Sequence, residues 1–126
     1  MSNYAFFKCN KCGKVFIRMS EKGCTPYCCG EETAELVPGA VDAAVEKHVP
    51  AVTRTDAGIE VVVGSVEHPM TEEHLIEWIA LEDGDRLEIR KLAAGEAPKA
   101  TFAGDIADGA TVYAYCNLHG LWKAEV

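Results

Sequence analysis

The stretch LIEWIALEDGDRLEIRKL, residues 75–92, reads as two β-strands joined by a tight turn. Leu75 to Leu81 and Arg86 to Leu92 are short runs carrying branched aliphatic side chains, and Asp83-Gly84 between them supplies the residue types a hairpin turn needs. Outward from this hairpin, Val49 to Thr55, Ile59 to Gly64, Ala100 to Ala103 and Ala110 to Cys116 have the same character, and Asp56 to Gly58 marks a second turn. Short strands with turns at this spacing indicate an antiparallel sandwich, so the chain is expected to be all-β. Val41 to Lys47 has room for a single helical turn, and nothing supports a long helix.

Period-two alternation predicts where side chains point. His74 is expected to share a face with Ile76, Trp78 and Ala80, and Cys116 to share one with Ala114 and Val112, so that both project from strand ends. His68 precedes Pro69 and His48 precedes Val49-Pro50, which places these two on loops, where a rigid sandwich usually carries its sites.

Cysteine usage divides the chain. Five of the six cysteines fall between Cys9 and Cys29, and Cys116 stands alone near the C-terminus. A module from Tyr4 to about Leu36 is expected, with Val37-Pro38-Gly39 as a linker or tight turn, giving domains 1–37 and 38–126. So few apolar residues lie between the cysteines that metal coordination has to supply the folding free energy. Cys9 and Cys12 form a CxxC grip and Cys28-Cys29 completes a tetrahedral thiolate set, which suits zinc and iron equally. Cys24 is a fifth thiol in this block and reads as a spare loop residue.

An even cysteine count also admits disulfides. The opening MSNYAFFKCNKCG contains no apolar run of the signal-peptide kind, and no segment approaches membrane-spanning length, so a soluble cytoplasmic protein with thiols as metal ligands is expected. A net charge of −8 disfavours nucleic acid, whose phosphates need a basic face.

All four histidines sit in three short segments: EKHVP at His48, HPMTEEH at His68 and His74, and CNLHG at His119 beside Cys116. Neutral imidazole is the commonest protein metal ligand, and thiolate is among the strongest. CxxH puts Cys116 and His119 on one turn, and Gly120 lets the backbone take positive φ. Five protein donors exceed what zinc usually takes, which favours a metal tolerating five or six ligands, such as iron, with one position left open. Ferrous iron with neutral imidazoles and one thiolate keeps a net positive charge. It attracts a small anion at short range despite the acidic chain.

CNLHGLWK, HPMTEEHLIEW, EKHVP and an N-terminal CxxC followed by CC together resemble the two-iron superoxide reductases, or desulfoferrodoxins, over nearly the whole chain. The resemblance implies a desulforedoxin-like iron site held by Cys9, Cys12, Cys28 and Cys29. It also implies an immunoglobulin-like sandwich whose second iron has His48, His68, His74 and His119 as equatorial ligands and Cys116 as the axial one. The activity implied is one-electron reduction of superoxide to hydrogen peroxide by a homodimer re-reduced by an external donor such as rubredoxin. Lys47 would guide the anion, and Glu46 would ligate the ferric iron and leave on reduction. Cys24 departs from the family's four-cysteine pattern.

Overall fold

The computed structural model describes residues 3–126. Contacts group the chain into two compact units, one ending at Val37 and one spanning Pro38–Val126.

In the first unit, β1 (Ala5–Lys8) lies between β2 (Val15–Arg18) and β5 (Ala34–Glu35), antiparallel to both. The short strands β3 (Tyr27–Cys28) and β4 (Glu31–Glu32) form a separate hairpin. Phe6, Phe7 and Cys9 are buried, a very small apolar core. The β3–β4 loop is the residue pair Cys29-Gly30, with φ of 54° and 80°. Positive φ at both central residues is the hairpin turn whose twist matches the strands, and it is why two cysteines can stand next to each other here. Cys28 ends a strand and Cys29 turns the corner.

The second unit begins with a helical turn, α1 (Val45–His48), followed by seven strands: β6 (Pro50–Thr55), β7 (Gly58–Val63), β8 (Ile76–Asp83), β9 (Arg86–Lys91), β10 (Lys99–Ala103), β11 (Thr111–Cys116) and β12 (Gly120–Glu125). They form two antiparallel sheets, ordered β10-β7-β6 and β12-β11-β8-β9. Ile59, Val61, Val63 and Phe102 from the first meet Ile76, Ile79, Leu81, Val112, Ala114 and Cys116 from the second in one buried core. This is an immunoglobulin-like sandwich in which β9 stays beside β8 in the larger sheet.

Several local expectations need correcting. β12 was not expected: Leu121 and Trp122 are neighbours and both buried, so its start shows no alternation. Asp83 and Arg86 pair with each other, so the hairpin loop is Gly84-Asp85 rather than Asp83-Gly84. His48 ends α1 instead of lying on a loop, and His74 falls two residues before β8 rather than on it.

The face assignment of β8 also fails. Its pairing with β11 runs Trp78 to Tyr115 and then Ile76 to Cys116, leaving Glu77 as the extra residue of a β-bulge. A bulge reverses the parity of everything beyond it. Ile76 therefore faces the core with Ile79 and Leu81, whereas Trp78 lies on the other face and stacks on Tyr115 at 5.3 Å. Alternation holds on β11, where Val112, Ala114 and Cys116 share the core face.

Candidate metal centres

In the first unit the loop after β1 is closed by Cys9 N–H to Lys14 O at 2.9 Å and Gly13 N–H to Cys9 O at 2.9 Å, with Gly13 at φ 80°. This tight loop directs Cys12 N–H at Cys9 Sγ, 3.4 Å away. The β3–β4 hairpin brings in the other pair. Cys12 Sγ is 3.6 Å from Cys28 Sγ, which is 3.8 Å from Cys29 Sγ, and all four sulfurs lie within 4.8 Å of one another. Metal–sulfur bonds of about 2.3 Å imply tetrahedron edges of about 3.8 Å, whereas a disulfide needs about 2.0 Å. The spacing therefore fits an ion shared by thiolates, and all the cysteines are free.

The thiols respond to their crowding. Cys9 is drawn down to about 6, first by the Cys12 backbone N–H, while Cys28 is pushed up to about 12, first by its contact with Cys12 Sγ. Four such groups ionise together only around a cation. Cys24 is exposed and outside the set.

The second set gathers at one end of the sandwich, for topological reasons. His48 precedes β6, His68 and His74 lie on the crossover from β7 to β8, Cys116 ends β11, and His119 is the last residue of the β11–β12 loop. In antiparallel sheets those chain ends all fall on the same side. Cys116 pairs with Gly120 across a three-residue loop, and Gly120 at φ 77° supplies the left-handed residue such a loop requires.

The ligating atoms of His48, His68, His74 and Cys116 lie within 4.8 Å of one another. His119 joins them through Nδ1, 3.1 Å from His48 Nε2 and 3.8 Å from Cys116 Sγ. Ring geometry orders the imidazoles. His48–His68, His68–His74, His74–His119 and His119–His48 are edge-to-face neighbours with centroids 4.6 to 5.0 Å apart, whereas His48 and His74 are 6.4 Å apart and only 30° from parallel. The four rings form a square, with His48 opposite His74 and hence His68 opposite His119.

Hydrogen bonds fix two tautomers. His48 donates from Nδ1 to Ala44 O and His68 from Nδ1 to Pro69 O, both at 2.7 Å, which leaves each Nε2 with a bare lone pair. Burial holds His68 neutral, lowering its pKa to about 4 against the opposing pull of the Pro69 carbonyl. The His74 pKa is lowered, first by burial and then by the charges of His119, His48 and Lys47. Its Nε2 is buried with no hydrogen-bond partner among the described residues. Burial raises the Cys116 thiol, while backbone N–H groups of Leu118 and His119 pull it down. A hollow lined by lone pairs and one thiol calls for a cation.

A family model described as Desulfoferrodoxin matches residues 40–125. A desulfoferrodoxin of Clostridium acetobutylicum is 50% identical over 90% of each chain. The chain belongs to the desulfoferrodoxin family. A second desulfoferrodoxin, from Nitratidesulfovibrio vulgaris, is 44% identical over 98% of each chain. Among solved structures, the superoxide reductase from Treponema pallidum superposes with a TM-score of 0.79 at 32% identity over 96% of each chain. In this desulfoferrodoxin framework the two donor sets fit two iron centres, one of four thiolates and one of four imidazoles with a thiolate.

The surroundings of the histidine site hold residues that sequence reasoning did not single out. Trp122 packs 5.0 Å from the His48 ring and donates from Nε1 to His119 O at 3.0 Å. Gly64 is buried where a Cβ would stand 2.6 Å from Glu46 O and 2.9 Å from Val49 O, so the end of β7 closes directly onto the α1 backbone. Thr71 binds His74 on both sides, accepting from its N–H through Oγ1 at 3.1 Å and donating its own N–H to His74 O at 2.9 Å. Thr71 lies three positions from His74, but nothing in a single sequence marks Gly64 or Trp122 as a neighbour of His48. Glu46 and Lys47 are both exposed on α1 beside His48.

Proposed function

We propose that this chain is a superoxide reductase working at the histidine–cysteine centre, and the observation that carries this is the square of four imidazoles completed by Cys116. The ligands are His48, His68, His74, His119 and Cys116. These residues would hold ferrous iron, which would supply the one electron needed, with two protons, to convert superoxide to hydrogen peroxide. Five donors from the chain would leave such an ion able to accept a small anion as well.

The polypeptide's part is electrostatic and protonic. Lys47 stands next to His48 on an exposed turn, and its charge reaches His74. It draws the superoxide anion toward the site and, with solvent, supplies protons to the reduced oxygen. Glu46, exposed on α1 beside His48, would be a further carboxylate ligand for the oxidised iron. The Cys116 thiolate would contribute electron density to the iron, and proton supply from Lys47 and solvent would favour release of hydrogen peroxide.

The unit ending at Val37 is, on this reading, a desulforedoxin-like iron domain with Cys9, Cys12, Cys28 and Cys29 as ligands, and Pro38–Val126 is the superoxide-reducing domain. The protein acts as a cytoplasmic homodimer with a rubredoxin-like electron donor, and neither nucleic acid nor membrane is a partner. No helix among the described residues is long and apolar enough to cross a membrane.

Rapid mixing of the reduced protein with superoxide tests the reading. The expected result is second-order oxidation of the histidine-site iron with one hydrogen peroxide formed per superoxide and no dioxygen. Dioxygen release would identify a dismutase, and absence of oxidation would remove superoxide as the substrate.

A further inference from the structure

Asn117 is the first residue of the loop that joins Cys116 to His119, yet its side chain reaches a third ligand's segment. Its Oδ1 accepts from Leu75 N–H at 3.0 Å, and its Nδ2 donates to Glu73 O at 2.9 Å. Its backbone N–H donates to Leu75 O at 3.2 Å. Glu73 and Leu75 are the residues on either side of His74. The two side-chain partners also fix the orientation of the amide, because a carbonyl can only accept and an N–H can only donate.

His74 is the ligand that most needs such support. His48 and His68 are each oriented through a ring N–H to a backbone carbonyl. Among the described residues no protein group hydrogen-bonds either ring nitrogen of His74, and its Nε2 is buried without a partner. The direction of its imidazole therefore depends on its backbone. Thr71 grips that backbone from within the crossover, and Asn117 grips it from the opposing hairpin.

We infer that Asn117 is a positioning residue for the histidine site, its amide bracketing His74 so that the crossover ligand is held in register with Cys116 and His119. This rests on the reading of His74, His119 and Cys116 as ligands of one ion. Groups that orient metal ligands typically contribute tenfold or more to affinity or activity. The bracket also acts just past the β-bulge at Glu77, beginning at Leu75, one residue beyond Ile76, the last residue of β8 paired with β11.

The test compares the full chain with Asn117→Ala and Asn117→Asp by two measurements. The first is hydrogen exchange of the Leu75 amide in chelator-treated protein. It is expected to accelerate in Asn117→Ala and to remain protected in Asn117→Asp, which keeps the accepting oxygen but loses the bond to Glu73. The second is the rate at which a chelator removes iron from the histidine site, together with the position of its thiolate charge-transfer band and with the four-cysteine iron of the same molecule as internal reference. Removal is expected to be about tenfold faster in Asn117→Ala with a shifted band, and intermediate in Asn117→Asp.

Unchanged Leu75 exchange in Asn117→Ala would overturn the bracket, and unchanged iron release and band would overturn its positioning role. Faster Leu75 exchange in a protein whose wild-type histidine site takes up no iron would support the bracket and defeat the iron reading instead. Equal loss of both irons would mark Asn117 as a general folding residue and overturn the proposal.

Discussion

His48 Nε2 and His68 Nε2 stand 3.2 Å apart, and each ring has already committed its only proton to a backbone carbonyl through Nδ1. Two lone pairs facing each other at that distance repel unless a cation lies between them. The site is thus built at a cost that metal binding offsets, which ties its stability to metal and to pH.

Acid is expected to weaken the metal-free protein. In the unfolded chain His68 takes up a proton near its ordinary pKa of 6.5, whereas in the fold burial delays this to about 4. Between those values the unfolded state binds more protons, so stability falls as pH drops through that window. Urea midpoints of chelator-treated protein near neutrality and at about pH 5 check it, and a midpoint that rises on acidification would contradict it. The metal-loaded protein is expected to resist unfolding more than the chelated one at neutral pH, by about 2.7 kcal/mol when free metal is at a hundred times its dissociation constant.

Gly64→Ala is expected to damage the site while sparing the sandwich. The added methyl would meet Glu46 O at 2.6 Å, Val49 O at 2.9 Å and Lys47 C at 3.0 Å, all of them backbone atoms that cannot swing aside. Relief comes by pushing α1 outward, and His48 with it. A loss of about 1–3 kcal/mol in stability is expected, with reduced iron at the histidine site and normal iron at the cysteine site. Metal analysis alongside calorimetry decides between this and a silent substitution.

Lys47→Ala is expected to slow the second-order reaction with superoxide by about tenfold at low ionic strength and to flatten its salt dependence, because what is lost is a charge that steers. Lys47→Arg keeps the charge and is expected to retain most of the rate. Stopped-flow or pulse-radiolysis rates at low and high salt measure both. Equal rates for Lys47→Ala and the unaltered protein under both conditions would dismiss the steering role.

Glu46→Ala is expected to alter the charge-transfer band of the oxidised protein and its pH dependence, while stability changes little, since the Glu46 side chain is exposed. Its backbone carbonyl, which accepts from Val66 N–H at 2.8 Å, is untouched by the substitution. Visible spectra recorded across the pH range are the measurement, and coincident titrations would exclude Glu46 from the iron.

How far the sequence could be read depended on how local each signal was. Cys116 and His119 were visible as a pair because only two residues separate them, and the hairpin loop delivers both to one place. Cys9 and Cys12 were visible for the same reason. The strands showed themselves through branched aliphatic runs, but β12 did not, because Leu121 and Trp122 bury both of its faces and erase the alternation. The faces of β8 were misread because Glu77, left without a partner on β11, puts Ile76 and Trp78 on opposite faces, and a bulge leaves no mark in composition. Least legible were the supports: Gly64 against α1, Trp122 against His48 and Asn117 around His74 link parts of the chain that only the folded topology brings together.

The distribution of donors between the sheets carries a mechanical consequence. His48 and His68 adjoin β6 and β7 of the smaller sheet, while His74, Cys116 and His119 adjoin β8, β11 and β12 of the larger. An ion held by all five is a rivet through both layers at one rim, whereas the opposite rim carries the turns at Asp56-Ala57 and Gly84-Asp85. Pulling the layers apart at the riveted rim requires breaking metal–ligand bonds, so fraying of the sandwich is directed to the far rim, away from the chemistry.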